Sequence, residues 1–168
     1  MSTKINYDPF KIVLCRTSHP GNIGSTARAI KTMGFEHLTL VNPKQFPHPD
    51  ADALAAGAED ILANATIVNS IEDALKDSHL IIGFTARQRE LSQPHQNIRE
   101  IAKGLKSESH SKKIALLFGN ETNGLSNDEI KHCHILGYIN SNENYSSLNL
   151  AQAVQIICYE IRMNLSED

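Results

Sequence analysis

The chain has 168 residues, of which 40% are hydrophobic and 21% charged, and its formal net charge at pH 7 is −3. That length predicts one domain across 1–168, and that balance excludes a disordered, collagenous or coiled-coil chain. A net negative charge also argues against a broad polyanion-binding surface, so any contact with nucleic acid has to be local.

Short apolar runs alternate with helical patterns, which predicts an α/β fold, a parallel sheet with helices on both faces. Met1 to Asp8 lack the basic start and apolar centre of a secretory signal. Phe10–Cys15 reads as a first buried strand, followed by a helix from Asn22 to Met33 that Gly34 ends. His37–Val41 makes a second strand, stopped by Asn42 and Pro43, and a proline-punctuated loop leads to a short helix near Asp50–Ala56. Ala65–Asn69 is a third strand, after which Ser70 with Asp73 resembles a capping box for a helix to about Lys76. His79–Phe84 is the fourth strand. From Arg87 to Lys113 the chain then carries a net charge of +4, its one basic concentration. Lys113–Phe118 is a fifth strand, Ser126 and Glu129 cap another short helix, and Ile135–Ile139 is a sixth strand. A last helix from Ser147 to Asn164, apolar around most of its surface, should be buried against the core or a second subunit. The longest apolar runs fall far below the ~20 residues that cross a bilayer, so no membrane partner and a cytoplasmic location are expected.

Open α/β sheets bind ligands beyond the carboxyl ends of their strands, and three strand-end loops are unusual. In the first, His19 to Arg28, Gly21 and Gly24 would let the backbone approach a ligand. The helix start there offers free N–H groups to an anion, with Arg28 about one turn inside. A capping Asn22 and a solvated Arg28 explain the same residues equally well. The second loop, Phe118 to Leu125, brackets Glu121 between Gly119 and Gly124 beyond the strongest strand. The third, Asn140 to Asn149, is polar and hydroxyl-rich, and Ser146 or Ser147 as a helix cap accounts for it on its own.

Other chemistries lack their residues. The Gly-Lys-Ser/Thr ending of a P-loop is missing, Asn42 and Pro43 stand where a dinucleotide fold wants an acidic residue, and there is no Gly-x-Ser-x-Gly elbow. Cys15, Cys133 and Cys158, odd in number and widely spaced, predict reduced thiols. His132-Cys133-His134 falls short of the four ligands of structural zinc, so no metal is expected.

Taken in order, Asn22-Ile23-Gly24 with Ala27-Arg28, then Phe118-Gly119-x-Glu121-x-x-Gly124-Leu125, then Ser147-Leu148-Asn149-Leu150-Ala151-Gln152-Ala153-Val154 resemble the three motifs of the SPOUT methyltransferases, in the SpoU/TrmH branch. The resemblance spans almost the whole chain. Thr17-Ser18-His19, Ala29 to Gly34, Leu54 to Ala58, Ala86-Arg87-x-Arg89 and Tyr145 to Asn149 are similar, within that branch, to enzymes that methylate cytidine or uridine of tRNA.

That resemblance implies methylation of the ribose 2′-hydroxyl at nucleotide 32 of the tRNA anticodon loop, with S-adenosylmethionine as donor. It also implies a homodimer and a parallel-sheet SPOUT fold with a C-terminal trefoil knot. Phe84, Thr85, Ala86, Gly119, Ile139, Ser146, Ser147 and Leu148 are the implied cofactor residues, Gly119 giving adenine close backbone access. The implied catalytic group is Arg28, Ser147, Asn149, Glu121 and Asn22. A guanidinium is a poor base, so Arg28 is expected to clamp the target phosphate and ribose while phosphate, Ser147 or water takes the proton. Glu121 and Asn149 are expected to hold the loops and Arg28 in place. Arg87, Arg89 and Arg16 are the expected RNA contacts. The chain departs from the branch in having Asn140 and Ser141 where a proline is frequent, and, with the sequence running to Asp168, either a catalytic domain without the helical C-terminal extension usual in those tRNA enzymes or a short relative is expected. Rival expectations are 2′-O-methylation of another nucleotide, at the tRNA wobble position or in rRNA, and a catalytically silent RNA-binding module of the same fold.

Overall fold

The computed structural model describes residues 4–86 and 95–166. Strands β1 (Phe10–Cys15), β2 (Leu38–Val41), β3 (Thr66–Val68), β4 (Leu80–Phe84), β5 (His95–Asn97), β6 (Ile114–Phe118) and β7 (Ile135–Tyr138) form one sheet in the order β3-β2-β1-β6-β4-β7-β5. Every adjacent pair is parallel. All five residues of β6 are buried, as a central parallel strand covered on both faces requires. Side chains alternate between two cores: Phe10, Ile12, Leu14 and Leu116 face one, and Val13, Cys15, Ala115 and Leu117 the other.

The helices are α1 (Pro20–Thr32), α2 (Pro49–Ala55), α3 (Glu59–Ala63), α4 (Ile71–Leu75), α5 (Ile98–Glu108), α6 (Asn127–Lys131) and α7 (Leu150–Leu165). Sequence reading did not foresee β5, α3 or α5. β5 reads His-Gln-Asn at the sheet edge, with no apolar alternation to announce it. In the basic stretch, Ile98, Ile101, Ala102 and Leu105 recur at helical spacing and are buried, while Asn97 Oδ1 accepts the Arg99 N–H as N-cap.

Three local expectations need correction. α1 starts at Pro20, a first-turn position where the missing N–H has no helical partner to lose, so Asn22 is not its cap and Arg28 lies about two turns inside. α7 starts at Leu150, capped by Asn149, whose Oδ1 accepts the Ala151 N–H at 3.0 Å; Ser146 and Ser147 precede it. Gly24 serves helix packing: a Cβ there would sit 2.0 Å from the carbonyl oxygen of Ala51 in α2.

The expected caps at Ser70 and Ser126 are present, the second as a full capping box with Glu129. The C-terminal helix is tied down by Arg162, whose Nη1 donates to the Met33 carbonyl at 2.8 Å and to the Tyr7 hydroxyl at 3.0 Å. Cys15, Cys133 and Cys158 are buried free thiols, and burial pushes Cys133 up to about 12 and the other two higher. Among the described residues no helix is long and apolar enough to cross a membrane.

Candidate functional site

The strand order brings the carboxyl ends of β6, β4 and β7 side by side, and the loops leaving them meet the start of α1 around a cleft of about 620 Å³. Register fixes its floor. Phe84 pairs with Phe118 across β4 and β6, and their rings stack at 5.2 Å between centroids. Thr85 and Ala86 follow on from β4, Gly119 from β6 and Ile139 from β7, and Ser146, Ser147 and Leu148 close the wall ahead of α7. Asn22, Glu121 and Asn149 also line the cleft.

Glu121 joins the first two loops. Its Oε1 accepts the Ser18 N–H at 2.8 Å, and its Oε2 accepts the His19 N–H and the Asn22 side-chain amide, each at 2.9 Å. A carboxylate of the chain itself therefore sits on the N–H groups entering α1, where sequence reading expected room for a bound anion. Burial alone would raise the Glu121 carboxyl, but the bonds from Ser18, Asn22 and His19 outweigh it and hold the group below its ordinary value. Asn120, which sequence reading missed, makes a second tie: its Nδ2 donates to the Arg16 carbonyl at 2.7 Å and to Ser18 Oγ at 3.0 Å. Its Oδ1 accepts the N–H groups of Thr122 and Asn123. Gly119 is required by this loop's own closure, since a Cβ there would lie 2.1 Å from the carbonyl carbon of Gly124. The loop's need for glycine explains the residue without any reference to adenine.

Arg16, with φ of 56°, turns back from the end of β1 to a partner more than a hundred residues away. Its Nε and Nη2 donate to the two oxygens of Glu129 at 2.7 and 2.8 Å, and Nη2 also donates to the Gly124 carbonyl at 3.0 Å. That guanidinium spends its Nε and Nη2 on partners within the fold, while the side chain stays 32% exposed. Burial raises the Glu129 carboxyl, yet the Arg16 bonds and the Ser126 N–H bring it below its ordinary value. Glu129 thereby serves the cap of α6 and the loop beneath the cleft together.

Arg28 is exposed on α1, has no hydrogen bond or ion pair among the described residues, and is not part of the cleft lining. Its Cα lies about 9 Å along the helix axis from Asn22, which does line the cleft. Arg87 and Arg89 lie outside the described residues. His132, Cys133 and His134 turn to separate partners: the Glu72 carboxylate, the Glu129 carbonyl and the Ile81 N–H. Glu72, Asp128 and His132 do bring ligand-type atoms within 4.8 Å of one another at the surface. Among the described residues Glu121 is the one ionisable side chain lining the cleft, so the lining offers hydroxyls, amides and apolar faces with no free base.

The SpoU rRNA Methylase family model matches residues 9–159. The tRNA (cytidine/uridine-2′-O-)-methyltransferase TrmJ of Pectobacterium atrosepticum is 50% identical over 156 residues, covering 93% of this chain and 65% of that protein. The TrmJ of Sodalis glossinidius is 52% identical over 155 residues, covering 91% and 60%. This chain thus spans 60% to 65% of the length of these curated relatives. Among solved structures, a probable methylase family protein from Haemophilus influenzae Rd KW20 superposes with a TM-score of 0.88 at 47% identity, over 94% of this chain and 66% of that one. A probable methyltransferase from Bordetella pertussis Tohama I gives 0.86 at 40%, over 94% and 96%. The fold alone is shared with the SpoU methyltransferase AviRb from Streptomyces viridochromogenes in complex with AdoMet, at 22% identity and a TM-score of 0.76, over 95% and 61%.

Proposed function

The chain belongs to the SpoU rRNA Methylase family, and from that membership we propose that it methylates the ribose 2′-hydroxyl of cytidine or uridine at nucleotide 32 of the tRNA anticodon loop, with S-adenosylmethionine as donor. The observation that carries this reading is the meeting of all three motif loops on one cleft. Identity of about half to proteins named for tRNA 2′-O-methylation supports the substrate class.

The cleft fits the donor in size and chemistry. Its volume of about 620 Å³ falls in the range of small-molecule sites. Ile139 and Leu148 offer apolar faces to a base, Ser146 and Ser147 offer hydroxyls to ribose and amino-acid groups, and Thr85 also lines the cleft. With Phe84, Ala86 and Gly119 these are the residues that would hold it. When bound, S-adenosylmethionine supplies an electrophilic methyl group on sulfur.

What remains for the protein is to hold a ribose oxygen in line and ~3 Å away, a positioning task. Ser147 is exposed at the cleft wall and makes no hydrogen bond among the described residues, so its hydroxyl is available to the ribose. Asn149 spends its Oδ1 on the helix cap, leaving Nδ2 to orient the same sugar. With no free base in the lining, the 2′-hydroxyl proton passes to phosphate, Ser147 or water. Arg28 clamps the target phosphate from the exposed side of α1, lowering the hydroxyl's pKa by its charge. Arg87 and Arg89 bind further phosphates, and Arg16 acts inside the fold. The chain works as a homodimer in the cytoplasm, with its C-terminal segment threaded as a trefoil knot, as the SpoU membership suggests.

The test is mass spectrometry of tRNA incubated with the protein and donor. A methylated ribose at nucleotide 32 is expected. Methylation at the wobble nucleotide, or donor binding without any transfer, would replace this reading with one of its rivals.

A further inference from the structure

Tyr145 is 83% exposed, while Leu54, the next most exposed large hydrophobic side chain among the described residues, is at 51%. It stands one residue before the Ser146-Ser147-Leu148 wall and is not itself part of the lining, so its exposed ring lies next in sequence to the cleft but outside it. The backbone beneath it is held. The Asn142 carbonyl accepts the Tyr145 N–H at 3.0 Å, Asn142 Oδ1 accepts the Asn144 N–H at 3.0 Å, and Ser141 Oγ donates to the Ser146 carbonyl at 3.4 Å. These bonds fix the turn that carries the ring although no proline stands at Asn140 or Ser141.

We propose that Tyr145 is a stacking platform for an unstacked nucleobase of the RNA substrate, adjoining the nucleotide whose ribose enters the cleft. This rests on the proposed RNA methylation and adds a recognition element to it. Residues 139–149 contain no lysine or arginine and one carboxylate, Glu143, so the loop repels a phosphate backbone and suits a base. An aromatic face with neighbouring amides, Asn142 and Asn144, is the equipment proteins use on splayed-out RNA bases. A net charge of −3 leaves little non-specific attraction for RNA, which makes a non-ionic contact more important here. A backbone already held by its turn also loses little freedom on binding.

Steady-state kinetics on tRNA with Tyr145→Ala and Tyr145→Phe, alongside calorimetry with S-adenosylmethionine, test the proposal. The alanine variant should raise KM for tRNA about five- to a hundredfold, with kcat and donor affinity close to wild type, and phenylalanine should restore KM. An alanine variant with wild-type KM overturns the stacking role while leaving the methyltransferase reading intact. An equal loss in donor affinity also overturns it, by assigning the ring to the cofactor or to loop stability. Failure of the wild-type protein to methylate tRNA overturns the functional reading and the stacking role together.

Discussion

The carboxylate of Glu121 accepts the side-chain amide of Asn22 at 2.9 Å, joining the loop after β6 to the first turn of α1 on the wall of the cleft. The same carboxylate serves the Ser18 and His19 N–H groups, so its loss strands three donors at once. Because the site is half-buried and water can refill it in part, Glu121→Ala should cost about 1–3 kcal/mol. In a domain of this size that lowers Tm by roughly 2–10 °C. Glu121→Gln is the sharper variant, since it places an amide donor among three others. It should weaken donor binding by about tenfold, one lost hydrogen bond to a charged group. Calorimetry with S-adenosylmethionine decides, and unchanged affinity in the glutamine variant would remove Glu121 from the cleft's support.

Acid should loosen the same region from two points. Glu121 and Glu129 both titrate below their ordinary value when folded. A depressed carboxylate contributes stability above its unfolded value, about 4.3, and that contribution is lost as pH falls through the folded values. Melting temperature should therefore be flat from neutral pH to about 5 and decline below it. The gap between wild type and Glu129→Gln should narrow as pH falls through that decline, and a gap that stays constant to the acid limit would contradict the assignment.

Arg16 and Arg28 should separate cleanly. Breaking a buried ion pair costs about 3–5 kcal/mol, but the Arg16 side chain is 32% exposed, which discounts Arg16→Ala to about 1–3 kcal/mol. It should lower Tm while the salt dependence of tRNA binding keeps its slope, since no phosphate contact is lost. A flatter slope would return Arg16 to the RNA footprint.

Arg28, with no partner among the described residues, should do the reverse. Arg28→Ala should leave Tm within about 1 °C of wild type, as an exposed unpaired charge does, and lower kcat/KM by about a hundredfold. Arg28→Lys should recover little, because an ammonium cannot reproduce the bidentate fork. Near-full turnover by the lysine variant at saturating tRNA would sink the clamp.

The contrast between these two arginines marks how far the sequence can be read. Buried apolar runs, capping pairs and turn glycines are local signals, and they located six of the seven strands and the three loops that meet at the cleft. β5 carries no such signal because an edge strand of His, Gln and Asn can be polar throughout. α5 did carry one, at Ile98, Ile101, Ala102 and Leu105, but its surface charges drew the reading toward a basic stretch. The Arg16–Glu129 pair, separated by 113 residues, is invisible to any local pattern. Gly24 and Gly119 stand out in the sequence as glycines, but the backbone that crowds them, Ala51 for one and Gly124 for the other, is shown only by the fold.

Glycine substitutions turn that last point into a measurement. At Gly119 a Cβ would lie 2.1 Å from the Gly124 carbonyl carbon, which is backbone and cannot swing aside. The hairpin there is closed by reciprocal bonds, Asn120 N–H to the Gly124 carbonyl at 3.1 Å and Gly124 N–H to the Asn120 carbonyl at 2.8 Å. Gly119→Ala must open that pair and displace the cleft wall, with a cost of about 1–3 kcal/mol from overpacking and a loss of donor binding. Gly104 is the control: it lies in α5, is exposed, and a Cβ there meets nothing within 4 Å. Gly104→Ala should stabilise the protein by about 0.5–1 kcal/mol through helix propensity and leave donor affinity alone. Thermal melts of the two variants should move in opposite directions, while calorimetry should show a loss of donor affinity in Gly119→Ala alone. Wild-type donor affinity in Gly119→Ala would mean that the loop closing on Gly124 does not shape the site.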